Sequence, residues 1–131
     1  PAAEARQRAL EALGFVGLAD RADDLPPSLN LHQRKFLELA RALAIRPRLV
    51  LLDEVLAGLT PSEIDSAIAM VREIRAAGAT ILFIEHNMRA VLALCDRLVV
   101  LDQGRVIAQG DPAEVVRDPR VVRAYLGGEP C

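Results

Sequence analysis

At 131 residues with a formal net charge of −2, the chain is large enough to bury a core of its own and too short for more than one domain. Hydrophobic residues make up 52% and aromatics only 3%, so packing rests on Leu, Val, Ile and Ala, a balance that suits helices around a buried parallel sheet. A pI of about 5.7 removes the electrostatic case for a nucleic-acid partner. No segment reaches the roughly 18 apolar residues of a membrane-spanning helix, and no signal-peptide pattern stands at the start. Cys95 and Cys131 form no disulfide framework, which favours a reducing, cytosolic setting.

In chain order, "EARQRALEALGFVGL" predicts a helix with Ala9, Leu10, Leu13 and Val16 along one face and Gly14 and Gly17 at its end. "ADRADDLPPS" predicts a polar, proline-bearing loop. Asn30 with Gln33 three residues on is a capping-box pattern; it opens a helix carrying Phe36, Leu37, Ala40, Leu43 and Ala44 on one face and ended by Pro47. "RLVLLDE" and "TILFIEH" are continuous apolar runs of the fully buried strand type. Between them, Thr60-Pro61-Ser62-Glu63 starts a helix with the stripe Ile64, Ile68, Val71 and Ile74, closed by Gly78. "NMRAVLALCD" predicts a short helix, and "RLVVLD", the turn "QGR" and "VIAQG" a hairpin. Asp111-Pro112 and Asp118-Pro119 open two terminal helices, the second stopping at Gly127-Gly128. Strands alternating with helices predict an α/β fold with a mainly parallel sheet and an antiparallel edge hairpin. A boundary near Pro47 divides an all-helical front from an α/β back.

In open α/β sheets, ligands bind beyond the carboxyl ends of the strands. Asp53-Glu54 and Glu85-His86 both fall at such ends, where one carboxylate beside Mg²⁺ and a second accepting a proton from water would suit phosphate hydrolysis. Against this, strand ends are commonly charged simply because water reaches them, and a lone histidine is more often structural than chemical.

The ordered set of motifs resembles the C-terminal half of the ATP-binding subunits of ABC transporters. "LVLLDE" is similar to their Walker B strand, "AGLTPSE" to the D-loop and the helix after it, and "ILFIEHNM" to the switch-histidine loop. "LNLHQRKFLELARALAIRPRLVLLDE" stands where the signature L-S-G-G-Q, its helix and Walker B follow in unbroken succession. "RALEALGFVGLADRA" and "GDPAEVVRDPRVVRAYLG" look most like the branched-chain amino-acid uptake group. The resemblance implies residues 1–46 as part of the ABC helical subdomain with the signature region, and 47–131 as the C-terminal portion of a RecA-like P-loop NTPase core. It implies Asp53 helping to hold Mg²⁺, Glu54 as general base for the attacking water, and His86 hydrogen-bonding the γ-phosphate. Asn30, Leu31, His32 and Gln33 would contact ATP in trans and Thr60 would stand in the D-loop. The expected partners are a second ATP-binding subunit, transmembrane permease subunits and, indirectly, a substrate-binding protein. The expected location is cytoplasmic, against the inner face of the cell membrane.

The chain departs from that pattern in two places. No G-x-x-x-x-G-K-[ST] occurs, and Lys35, the only lysine, falls inside a predicted helix. The family's Walker A strand, adenine-stacking aromatic and glutamine loop lie upstream of the matched part, so the chain is expected to be a C-terminal part that lacks the main ATP determinants. In the signature, Asn30 replaces serine while Leu31 and His32 replace the two glycines. A protonated His32 would contact the γ-phosphate directly, or the site has drifted out of use. Val55 replaces the proline that commonly follows Walker B, and Thr60 replaces an Asp or Asn while remaining a good N-cap. The competing reading is a truncated, non-catalytic homologue acting as an interaction module. ABC-type ATPases of DNA repair are disfavoured by the absence of sustained heptads. A half core would leave apolar faces open, and the isolated chain is expected to be marginally stable or to oligomerise.

Overall fold

The computed structural model describes residues 1–125 and 127; Gly128, at the expected stop of the last helix, and Cys131 lie outside them. The elements run α1 (Ala2–Phe15), α2 (Leu31–Ala44), β1 (Leu49–Asp53), α3 (Pro61–Ala76), β2 (Thr80–Ile84), α4 (Met88–Leu94), β3 (Leu98–Asp102), β4 (Arg105–Gly110), α5 (Pro112–Val115) and α6 (Pro119–Tyr125). The chain divides into two compact units, Pro1–Ile84 and Glu85–Cys131, so α1 and α2 share a unit with the parallel strand pair.

In the first unit, α1 packs on α2. α1 ends in a Schellman motif: Leu18 N–H donates to Leu13 O at 2.8 Å and Gly17 N–H to Gly14 O at 3.2 Å, with Gly17 at φ +76°. That left-handed step is why a glycine stands there. The buried face of α1 differs from the expected one, since Ala12 and Val16 are buried, Leu10 and Leu13 half-buried and Ala9 exposed. In the loop that follows, two short 3₁₀ turns form, Ala19–Arg21 and Pro26–Ser28, tied by the Arg21–Asp24 ion pair and by Ser28 Oγ donating to Leu25 O at 2.8 Å. α2 opens on the expected capping box and buries Phe36, Leu39 and Ala40.

β1 and β2 pair in parallel, Leu49 opposite Thr80 through Asp53 opposite Ile84. Their burial corrects the expectation of strands covered on both sides. Val50 and Leu52 are buried, but Leu49, Leu51, Leu82 and Ile84 are 51–65% exposed, and these four lie on one face of the pair. Side chains alternate across a strand, and among the described residues the protein covers only one side of this sheet. α3 contributes Ala67, Ile68, Val71 and Ile74 to the buried set; Ile64, expected in the same stripe, is half-buried.

In the second unit, β3 and β4 form an antiparallel hairpin that is a two-stranded sheet of its own, with an irregularity between Val100 and Leu101. Gln103 (φ 49°) and Gly104 (φ 78°) both take positive φ, the signature of a two-residue type I′ turn that matches strand twist. α5 and α6 pack on β4, and Val100, Val115 and Val121 form the core with Leu98, Ile107 and Ala108 against it. Tyr125 Oη donates to Leu101 O, fastening α6 to β3.

α6 begins at an ion pair whose behaviour with pH follows from its geometry. Asp118 Oδ1 accepts from the Arg120 backbone N–H at 2.9 Å, and Arg120 Nη2 donates to Asp118 Oδ2 at 2.7 Å. The Arg120 side-chain hydrogen bond, then its backbone N–H, pull the Asp118 carboxyl from 3.8 to about 2. A carboxylate with a lowered folded pKa contributes stability above its unfolded value, and that contribution is lost as pH falls through the folded one. The start of α6 is therefore expected to stay intact at pH 5 and to loosen between pH 3.8 and about 2. The Asp118 carboxyl ¹³C shift followed by NMR checks this; an inflection near 4 would mean the Arg120 contacts do not hold in solution.

Candidate functional site

Asp53 is the last residue of β1 and Glu54 the first beyond it; both are exposed. Glu54 N–H donates to Ile84 O at 2.8 Å, extending the parallel ladder one bond past the strand. Its φ of 50° then turns the chain off the sheet. A left-handed backbone at a non-glycine residue costs about 1 kcal/mol or more, and the chain accepts it where two carboxylates stand at the carboxyl end of a parallel strand. The following turn is closed by Ala57 N–H to Glu54 O at 3.4 Å and Leu59 N–H to Leu56 O at 3.2 Å, with Leu56 buried.

At the start of α3, Thr60 Oγ1 accepts from Glu63 N–H at 3.3 Å and Glu63 Oε2 accepts from Thr60 N–H at 2.8 Å, with Pro61 at the first helical position. The start of α2 is built alike: Asn30 Oδ1 accepts from Gln33 N–H at 2.8 Å and Gln33 Oε1 accepts from Asn30 N–H at 3.0 Å. These boxes satisfy helix-end donors, and the positive end of α2 remains favourable to an anion.

The structure brings these two helix starts together. His32 Nδ1 lies 3.7 Å from Glu63 Oε1, and its ring meets Phe36 edge-on at 4.3 Å between centroids. A Cβ built on Gly58, at φ +79°, would lie 2.9 Å from Leu31 Cδ2. Glu63 and Gly58 thus join the candidate residues. The sequence marks Glu63 only as a capping partner, and nothing in it signals that His32 reaches Glu63 or that Leu31 covers Gly58.

His86 belongs to the second unit, where its side chain is 65% exposed and its Nδ1 lies 3.6 Å from Glu85 Oε1. Its backbone N–H donates to the same Glu85 oxygen at 3.1 Å, and the Glu85 side chain is only 1% exposed. A carboxylate so far withdrawn from water holds the backbone beside His86. Asn87 next caps α4, accepting from Ala90 N–H at 3.0 Å.

The donor set suits Mg²⁺ bound through one carboxylate, water and phosphate oxygens, as that ion prefers. Among the described residues no group of three His, Cys, Asp or Glu side chains forms an all-protein metal site. A groove of about 510 Å³ in the first unit, lined in part by Phe15, Leu43, Pro47 and Ile74, contains none of the candidate residues. Among the described residues no helix is long and apolar enough to cross a membrane.

Comparison with known proteins bears on the family and the fold. Residues 105–130 match a family model described as branched-chain amino acid ATP-binding cassette transporter. Over 96% of its length the chain is 43% identical to the methionine import ATP-binding protein MetN of Rhizobium etli, of which it covers 36%. It is 37% identical to the lipopolysaccharide export system ATP-binding protein LptB of Acidithiobacillus ferridurans over 96% of the chain and 52% of that protein. It is 38% identical to the high-affinity branched-chain amino acid transport ATP-binding protein BraF of Pseudomonas aeruginosa over 95% of the chain and 49% of that protein. Among solved structures, the ADP conformation of MJ1267, an ATP-binding cassette of an ABC transporter, superposes with a TM-score of 0.85 at 34% identity, covering 95% of the chain and 51% of that structure. The chain spans about a third to a half of the length of these curated relatives. Its fold is that of the RecA-like ATPase cassette. By sequence and fold together, the chain carries the C-terminal part of an ABC transporter ATP-binding domain.

Proposed function

We propose that this chain supplies half of the hydrolytic site of an ATP-binding subunit that drives solute transport, with amino-acid import as its direction. The observation that carries the reading is the exposed pair Asp53-Glu54 at the carboxyl end of β1, the first residue in the ladder and the second turned off it by a positive φ. Residues 1–46 serve as part of the helical subdomain and 47–131 as the C-terminal portion of the core. Asp53 would help hold Mg²⁺, and the ion, when bound, would supply charge neutralisation at the phosphates. Glu54 accepts the proton of the attacking water, and His86 donates a hydrogen bond to the terminal phosphate. The segment Asn30–Gln33 offers the N-terminus of α2 to the nucleotide held by a second subunit, with Thr60 ordering the turn beside it. Permease subunits and a substrate-binding protein complete the assembly at the inner face of the membrane. The match over residues 105–130 and the likeness to BraF support branched-chain amino acids as cargo. The likeness to MetN makes methionine the competitor to include in uptake assays.

Asp53→Asn in the complete subunit tests the site. The Mg²⁺ concentration needed for half-maximal ATP hydrolysis is expected to rise about tenfold or more, since one metal-holding carboxylate is lost. An unchanged Mg²⁺ dependence would overturn the assignment of Asp53, whereas a complete subunit that hydrolyses no ATP would favour the non-catalytic interaction module.

A further inference from the structure

We propose that His32 is a positioning residue which latches the start of α2 to the start of α3, so that its charge state is transmitted to the Thr60 turn. Three observations in the first unit converge on this. His32 Nδ1 stands 3.7 Å from Glu63 Oε1, while Glu63 Oε2 accepts the Thr60 backbone N–H at 2.8 Å. One carboxylate therefore faces the imidazole with one oxygen and holds the turn before α3 with the other. Phe36 meets the imidazole ring edge-on at 4.3 Å. Leu31, the residue before His32, reaches the same turn, its Cδ2 occupying the space a Cβ on Gly58 would need.

The two helix starts thus meet at two places, in an apolar contact at Leu31–Gly58 and where the His32 imidazole faces the Glu63 carboxylate at 3.7 Å. The polar contact changes with proton uptake. A neutral imidazole offers Glu63 at most one N–H, whereas an imidazolium adds a full opposite charge at the same place. Glu63 is the ionisable group set against His32 from α3, and on its own helix Lys35 follows one turn later. Both partners of the pair are about a third exposed, so salt weakens the latch. A glycine at position 32 would leave Glu63 to its capping role alone and would remove the polar contact between the two segments. The latch is a property of this chain without nucleotide and stands apart from the ATPase reading. Where that reading also holds, the latch ties the nucleotide-facing segment Asn30–Gln33 to the segment that follows the carboxylates.

The test is an NMR titration of the ¹⁵N-labelled chain across the range in which imidazoles change charge. The backbone amide shifts of Thr60 and Glu63 are expected to follow the same midpoint as the His32 ring nitrogens. In Glu63→Gln the amide oxygen still caps α3, and the inflection at Thr60 and residue 63 is expected to disappear. Flat Thr60 and Glu63 amides in the unmodified chain would overturn the proposal, as would an inflection that survives in Glu63→Gln. No nucleotide or turnover enters the measurement, so its outcome is distinct from any failure of the proposed hydrolytic role.

Discussion

Replacing Glu54 by Gln is expected to lower ATP turnover of the complete subunit by about 10²- to 10⁴-fold, the usual contribution of a positioned general base, with nucleotide affinity retained. The carboxylate would act at the moment the attacking water loses its proton, and an amide of the same size cannot accept that proton. Glutamine is the informative replacement because the backbone at 54 sits at φ 50°. Gln carries the same left-handed strain as Glu, whereas a β-branched residue would add backbone cost to lost chemistry and blur the comparison. The Glu54 N–H bond to Ile84 O at 2.8 Å involves only the main chain and should survive the exchange. Single-turnover hydrolysis alongside a nucleotide-binding isotherm separates the two effects. Undiminished turnover would remove Glu54 from the mechanism.

Phe36→Ala is expected to destabilise the chain by about 3–5 kcal/mol, the range for truncating a buried aromatic whose surroundings relax only in part. Phe36 is 5% exposed in the middle of α2, and its ring also meets the His32 imidazole at 4.3 Å. Its loss would therefore open a void and free the latch residue together. Urea unfolding followed by circular dichroism measures the change. Leu25→Ala, at a residue 75% exposed, is the control and should stay within about 0.5 kcal/mol. A Phe36→Ala effect no larger than that control would show that α2 is not packed as described.

The features legible in the sequence were those set by residues near one another in the chain. Asn30 with Gln33 and Thr60 with Glu63 announce helix starts because each box closes over three residues, and Gly17 announces a helix end because few other residues take its φ. Asp53-Glu54 could be placed at a strand end because an apolar run stops there. What the sequence hid depends on partners far apart along the chain. The pairing of His32 with Glu63 and the seat of Leu31 on Gly58 need two helices folded together, and no periodicity records that meeting. The left-handed backbone of Glu54 was equally hidden, since a glutamate gives no hint of a conformation that glycine would signal. The near-complete burial of the Glu85 side chain was hidden as well, its sequence context reading only as a charged strand end. For α1 the helix was legible but its face was not, because Ala9 and Ala12 look alike until α2 chooses between them.

Leu49, Leu51, Leu82 and Ile84 give the uncovered side of the β1–β2 pair an aliphatic surface. A strand whose outer side is washed by water gains nothing from leucine there, and threonine, lysine or glutamate at such positions gives the alternating pattern of a half-solvated sheet. β1 and β2 carry aliphatic side chains at these four outward positions beside Val50 and Leu52. The pair has the composition of an interior element, and its bare side has the chemistry of a surface kept from water.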